Sequence, residues 1–291
     1  MKKNNHPLFL LAALFLLIGC NKEPLPSEGI VATMERVHDS TTYIYATYAD
    51  GSEIYFKVLS DQTVEMASMR DYFGEITPPV SNCAAHVVIP SEITHNAHTY
   101  TVVGIGRRAF YCCYALTTVE IPETVQYIGT EAFDGCTHLE SIQFHEGIRR
   151  IGKKAFWCCS ALTSVELNEA ITFVPEGAFG HCENLAFITL PCVDTIMKEG
   201  FAYADGMTSV ELPATTKALY TAAFANCRSL TQISCKAVVP PGMLEPFYSG
   251  YIETSPFLGC PIEEIRVPEE SVEAYKAASG WSSYADKIIG M

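Results

Sequence analysis

The chain has 291 residues, 48% of them hydrophobic, with 19 Lys and Arg against 33 Asp and Glu and a formal charge of −14. That balance excludes nucleic acid as a partner and excludes electrostatic docking on anionic lipid. Twelve cysteines raise a disulfide or metal question that their spacing has to answer.

Residues 1–20 read as an export signal rather than as part of the fold. Lys2 and Lys3 precede an apolar run, Leu8 to Ile18, too short to span a bilayer as a helix. The run closes as Leu17-Ile18-Gly19-Cys20, which resembles the lipobox of bacterial lipoproteins. By that resemblance Cys20 becomes the acylated first residue of the mature chain. Losing Lys2 and Lys3 leaves 17 basic residues (19 minus 2) against 33 acids, a charge of −16. Residues 21–29 are polar and Pro-rich, as a tether should be. No later apolar run is long enough for a transmembrane helix, so membrane contact is expected through the lipid anchor only.

Residues 30–86 are expected to form an N-terminal antiparallel β cap. Thr42 to Tyr48 and Glu53 to Val58 are β-branched and aromatic, and Asp50-Gly51 between them is a hairpin signal. Ser60 to Thr63 marks a second turn. Val87-Val88-Ile89 and Thr99 to Val103 flank a polar turn that holds His95 and His98.

From Ile105 to Cys235 one unit recurs six times. Its anchors are Phe110, Phe133, Phe156, Phe179, Phe201 and Phe224, spaced 23, 23, 23, 22 and 23 apart. Three residues after each Phe comes Cys113, Cys136, Cys159, Cys182, Ala204 or Cys227, and nine after it a Val or Ile such as Val119. So strict a period predicts a solenoid whose turns bury their apolar faces against one another. Segments such as Leu116 to Ile121 alternate as short strands and stack into a parallel sheet, with the Phe segment as the opposite wall. The solenoid is placed at residues 87–268. An insertion at 236–256 is followed by a resumed turn at Phe257 and Cys260. Residues 269–291 form a C-terminal cap, with an amphipathic helix from Glu270 to Ala278 and Trp281 as a plug. Met197 to Phe201 departs most from the unit, and the stack is expected to loosen there.

Cys113, Cys136, Cys159, Cys182 and Cys227 share one repeat position, and Cys260 extends the series. Side chains at equivalent positions run parallel rather than facing each other, so a column of buried thiols acting as small fillers is expected instead of disulfides. Zinc ligands converge from different directions, whereas Cys112-Cys113 and Cys158-Cys159 point to opposite sides of the backbone. His95 and His98 have no third ligand nearby in sequence. No metal and no cofactor are expected.

The unit I-G-x-x-A-F-x-x-C-x-x-L-x-x-V-x-[IL]-P resembles the BspA-like leucine-rich repeat of bacterial surface proteins, over roughly Val87 to Ile289. The resemblance implies an α/β-type leucine-rich-repeat solenoid, here mostly β, with a parallel strand ladder on one face and a C-terminal helical cap. It also implies an outer-membrane lipoprotein of the Bacteroides type, surface-exposed, that attaches to host matrix proteins or to other bacteria.

No G-x-S-x-G, H-E-x-x-H, phosphate loop or Gly-rich dinucleotide turn is present, and an exposed ladder offers nothing to desolvate an acid pair. The chain is therefore read as a binding module and not an enzyme. The candidate contact face is the outward side of the sheet. One outward column reads Glu120, Gln143, Glu166, Thr189, Glu211, Ser234 and Arg266; its neighbour includes Phe187. Phe187 among small polar residues is a candidate hot spot, set against the alternative that it packs on a neighbour. Tyr248 and Tyr251 in the insertion form a second candidate surface. Two rival readings are an accessory subunit of an envelope complex and a glycan-binding lipoprotein. The sheet has only Phe187 as an aromatic platform for a sugar.

Overall fold

The computed structural model describes residues 30–38, 40–48, 53–67, 84–244 and 255–291. Cys20, the tether, the Asp50-Gly51 turn, Cys83, Tyr248 and Tyr251 lie outside the described residues.

β1 (Ile30–His38), β2 (Thr41–Tyr48), β3 (Glu53–Val58) and β4 (Thr63–Ala67) pair antiparallel in chain order. Alternation sends Ile44, Ala46, Ile54, Phe56, Val64 and Met66 into the core, where all are buried. β5 (His86–Val88) starts the main ladder of the solenoid by pairing with β8 (Thr118–Glu120). β6 (Glu92–His95) and β7 (His98–Ile105) make the expected hairpin around Asn96 and Ala97. The antiparallel pattern ends at β4, which pairs in parallel with β7; β7 in turn pairs in parallel with β9 (Tyr127–Ile128). The cap sheet therefore continues into the repeats, and the open end of the first turn is closed by backbone pairing. Tyr127 strengthens this junction by donating to Glu65 Oε2 at 2.6 Å.

Each repeat contributes to three backbone ladders, of which the sequence reading saw one. The main ladder runs through Ser164–Glu166 and Phe187–Thr189, and through Ser209–Leu212, Gln232–Cys235 and Glu264–Val267, all parallel. A second ladder uses strands of two or three residues where each turn opens: β9 with Arg150–Ile151, and Phe173–Val174 with Thr195–Ile196 and Ala218–Tyr220. Gly242–Leu244 extends it, so the start of the insertion continues the repeat pattern.

The third ladder is the Phe wall. It contains no helix. The residues two before and two after each Phe sit at positive φ: Arg108 and Cys112, Glu131 and Gly135, Lys154 and Cys158, then Gly177 and His181. This geometry aims alternate N–H groups along the stack. Phe110 donates to Ala132 O at 2.7 Å, Phe133 to Ala155 O at 2.7 Å and Phe156 to Ala178 O at 2.8 Å. Holding non-glycine residues in the left-handed region costs about 1 kcal/mol each; inter-turn bonds such as Arg108 N–H to Thr130 O and Lys154 N–H to Glu176 O, both 3.0 Å, offset it. The Gly of the I-G pair has another cause. A Cβ on Gly129 would lie 2.7 Å from the Gly106 carbonyl carbon of the previous turn.

The Phe rings stack with centroids 5.0 Å apart at Phe110–Phe133, rising to 5.6 Å at Phe224–Phe257. Across the irregular Met197 to Phe201 segment the spacing is 5.3 Å, part of this gradual trend rather than a local gap. The cysteine column is more than filler. Cys136 Sγ donates to Phe110 O at 3.0 Å, Cys159 to Phe133 O at 3.2 Å, Cys182 to Phe156 O at 3.2 Å and Cys227 to Phe201 O at 3.2 Å. Burial pushes the thiols of Cys136, Cys159 and Cys182 well up, which keeps the donor proton in place. Cys113 is a correction to the expected column: it is disulfide-bonded, to a partner outside the described residues, while its column-mates are free. At the first turn there is no preceding Phe carbonyl of the series for its thiol to meet.

The C-terminal cap follows its prediction closely. A 3₁₀ turn, Glu269–Ser271, leads into the helix Val272–Ala277. Trp281 is fully buried and donates from Nε1 to Pro241 O at 2.8 Å, and Tyr275 donates to Ala237 O at 2.6 Å. The tail then returns as a strand, Ile288–Gly290, parallel to Glu264–Val267. That last strand was not foreseen.

Candidate functional site

The parallel register lines up the outward residues of the main ladder. Ser164 lies beside Phe187, Glu166 beside Thr189, Glu211 beside Ser234, and Ser234 beside Arg266. Glu120, Gln143, Glu166, Thr189 and Glu211 are all exposed, as the alternation predicted. Ser141 to Gln143 keeps the outward position although it forms no regular strand. Phe187 is 74% exposed, so it does not pack on a neighbour.

Charge is distributed unevenly along this face. In the later turns the acids are matched: Glu211 meets Lys236 Nζ at 2.5 Å and Glu264 meets Arg266 Nε at 2.6 Å. In the first three turns the acids gather. Glu123, Glu146 and Glu169, three residues beyond the strand column, are exposed and extend it into a strip. The sequence reading stopped at the strand and missed this column, although the same 23-residue period marks it. Glu120 lies 3.1 Å from His86 Nε2 and Glu123 lies 3.2 Å from His145 Nδ1. Glu146, Glu166 and Glu169 have no ion-pair partner among the described residues. Several basic side chains of these turns are engaged elsewhere. Arg108 pairs with Glu131, Lys153 with Glu176 at 2.9 Å, and Arg150 lies over the Tyr127 ring.

Where the acid strip ends, a groove begins. The column that reads Glu123, Glu146, Glu169 continues as Cys192, Ala214 and Ala237. Leu190, Pro191, Pro213 and Ala214 line an open groove of about 310 Å³, with Glu211 and Lys236 at its rim. Two strand-ending prolines and an alanine in place of glutamate create it. The groove adjoins Phe187, two residues before Thr189 on the same strand.

The opposite wall carries three aromatics in successive turns. The His181 ring lies 4.6 Å from Trp157 and 4.2 Å from Tyr203. This is not a sugar platform. Lys154 Nζ lies over the Trp157 ring at 4.4 Å, and a methyl group on Gly177 or Gly180 would run into the same ring. The Trp157 ring is thus wedged between a lysine and glycine backbone. Beside it, burial and Glu131 raise the Asp134 pKa to about 6, partly offset by Lys154 and Arg108. Among the described residues no three His, Cys, Asp or Glu side chains are placed to hold a metal ion, and no helix is long and apolar enough to cross a membrane.

The repeat, its Phe stack and its ladders now identify the array. Residues 103–231 match the BspA-type leucine-rich repeat region. Six copies of the repeat match the family. A leucine-rich cell surface protein of Faecalibacterium prausnitzii is 22% identical, over 82% of this chain and 72% of that one, with a TM-score of 0.49. A leucine-rich repeat protein of Eubacterium ventriosum is 21% identical, over 75% and 50% of the two chains, with a TM-score of 0.53. A leucine-rich repeat protein of Bacteroides ovatus is 21% identical, over 74% and 70%, with a TM-score of 0.44. The likeness to the Eubacterium ventriosum protein shows the fold. No curated protein matches the sequence. Leucine-rich repeat solenoids present long regular faces that serve as protein-interaction surfaces.

Proposed function

We propose that this chain is a cell-surface lipoprotein, anchored through Cys20, whose main-ladder face binds a protein partner in adhesion. The observation that carries the reading is Phe187, a large apolar side chain 74% exposed on a regular polar array. An exposed aromatic ringed by small polar groups is the composition of an interface anchor. The BspA-type repeats support an interaction role, and the groove beside Phe187 supplies the concave relief that a flat ladder lacks.

The partner is to be captured on the purified chain from an extracellular-matrix extract and an envelope lysate. Phe187→Ala together with Glu166→Lys and Glu211→Lys is expected to abolish capture while leaving the melting curve intact. Capture that survives all three substitutions rules out this face. Protease shaving of intact cells should release the protein; full protection would instead favour an accessory subunit inside the envelope. Cys20→Ala should move the protein from the membrane fraction to the soluble one.

A further inference from the structure

We infer that the partner segment seated on this face is an extended cationic polypeptide with one apolar side chain, its basic residues two apart and its apolar residue two further on. The inference rests on the binding face proposed above and adds the chemistry and spacing of what it takes.

Three features of the face carry it. The first is charge. Turns one and three each hold two outward carboxylates, Glu120 with Glu123 and Glu166 with Glu169, while turn two holds Gln143 with Glu146. Arg108, Lys153 and Arg150 of those turns are engaged instead by Glu131, Glu176 and the Tyr127 ring. A ladder of like charges repels itself, and a cationic segment laid along it relieves that repulsion. The second feature is the groove at the end of the strip, where the lining is Leu190, Pro191, Pro213 and Ala214. Its position continues the glutamate column, so a segment that follows the acids along the solenoid axis arrives in it. The third is closure beyond the groove. Lys236 is already matched to Glu211 and Arg266 to Glu264, so the acidic run has a defined end.

Spacing follows from two repeats. Neighbouring parallel strands lie roughly 4.8 Å apart and an extended chain rises roughly 3.3 Å per residue. Turns one and three are therefore about 10 Å apart. Side chains of an extended chain alternate between its two faces, so two that both point at the acids lie two residues, roughly 6.6 Å, apart, within the flexible reach of lysine from these turns. The groove centre, between turns four and five, lies about 7 Å past turn three, the reach of two more. The complementary segment is Lys-x-Lys-x-Leu, or its Arg and aromatic equivalents, running parallel to the axis.

The test uses the purified full chain and synthetic twelve-residue peptides read by fluorescence anisotropy at two salt concentrations. One peptide carries Lys-x-Lys-x-Leu among Gly and Ser; a second has the same composition with its lysines adjacent and its leucine first. The spaced peptide is expected to bind about tenfold tighter than the rearranged one, with affinity falling as salt rises. Glu166→Gln with Glu169→Gln should cost the spaced peptide about tenfold and flatten its salt dependence. Ala214→Trp, which fills the groove from an exposed position, should remove the advantage of leucine over glycine at the last position. Glu270→Gln with Glu273→Gln, on the cap, should change nothing. Equal binding of the two peptides, or equal loss from the cap substitutions, overturns the inference as general charge attraction. If the natural partner is lost on Phe187→Ala while neither peptide binds, the cationic class is wrong and the face stands. If the partner is indifferent to Phe187→Ala, the face itself is wrong.

Discussion

Substitution of Cys136 separates two accounts of the thiol column. Cys136 is fully shielded and its Sγ stands 3.0 Å from the Phe110 carbonyl. Cys136→Ala deletes one buried heavy atom, about 1 kcal/mol of transfer energy. It also removes a weak donor bond of about 0.5 kcal/mol, for a total near 1.5 kcal/mol with little room for collapse. If the thiol is only filler, Cys136→Ser is worse than alanine, because burying an unpartnered hydroxyl costs a further 1–3 kcal/mol or so. If the thiol is a donor aimed at Phe110 O, the serine hydroxyl inherits the bond and costs no more than alanine. Thermal unfolding by differential scanning calorimetry, at a few degrees per kcal/mol, resolves that difference. The array contains its own converse: Ala204 is fully buried where the thiol belongs, and Ala204→Cys should raise stability by up to about 1 kcal/mol. A serine variant clearly less stable than the alanine one would refute the donor account.

Four other outcomes are expected. Native-state alkylation should reach the partly exposed Cys112, Cys158 and Cys192 well before the buried Cys136, Cys159 and Cys182, as peptide mapping by mass will show. Asp134→Asn should stabilise the protein above pH 6. Its folded pKa of about 6 lies above the ordinary 3.8, so the folded state holds the extra proton between the two and stability falls as pH rises through that window. The gain, discounted because the carboxylate is half-exposed, is about 1 kcal/mol or less at pH 7.5 and should vanish below about pH 4 in paired melts. Gly180→Ala should drive the Trp157 ring outward, costing about 1–3 kcal/mol and shifting tryptophan emission to the red; Trp281, fully buried, provides a constant background. Ala222→Gly, at φ 60°, should be neutral or stabilising by about 0.5 kcal/mol in denaturant titration, opposite to the usual sign of that substitution.

The columns that face inward were legible because burial imposes one residue type at one spacing. Phe133, Leu139 and Ile142 could be placed from the period alone. The second and third ladders were not. A two-residue strand such as Tyr127–Ile128 carries no alternation to detect, and the left-handed positions are occupied by Arg, Cys, Lys, His and Tyr, with no shared chemistry beyond the backbone shape they adopt. Cys113 carries the signature of its column, but a disulfide depends on where a second cysteine comes to lie, and the period does not encode that. On the main-ladder face, alternation gave the outward direction of Phe187, Thr189 and Glu211. The groove escaped notice because the two prolines, Pro191 and Pro213, keep the repeat, and only Ala214 in a column that began with glutamates departs from it; the hollow takes shape only when these turns are stacked.

The three ladders share one direction. Every inter-turn hydrogen bond, from β7 with β9 to Glu264–Val267 with Ile288–Gly290, points along the long axis of the array, while the covalent chain circles around it. Tension applied lengthwise is therefore borne by non-covalent bonds alone, three rows abreast at each junction, and tension applied crosswise by peptide bonds. A load entering at β1 meets the weakest arrangement of all, a single strand held along one edge by β2, and peels it pair by pair before any repeat is disturbed. The cap thus works as a mechanical fuse: it yields first and spares the repeats behind it.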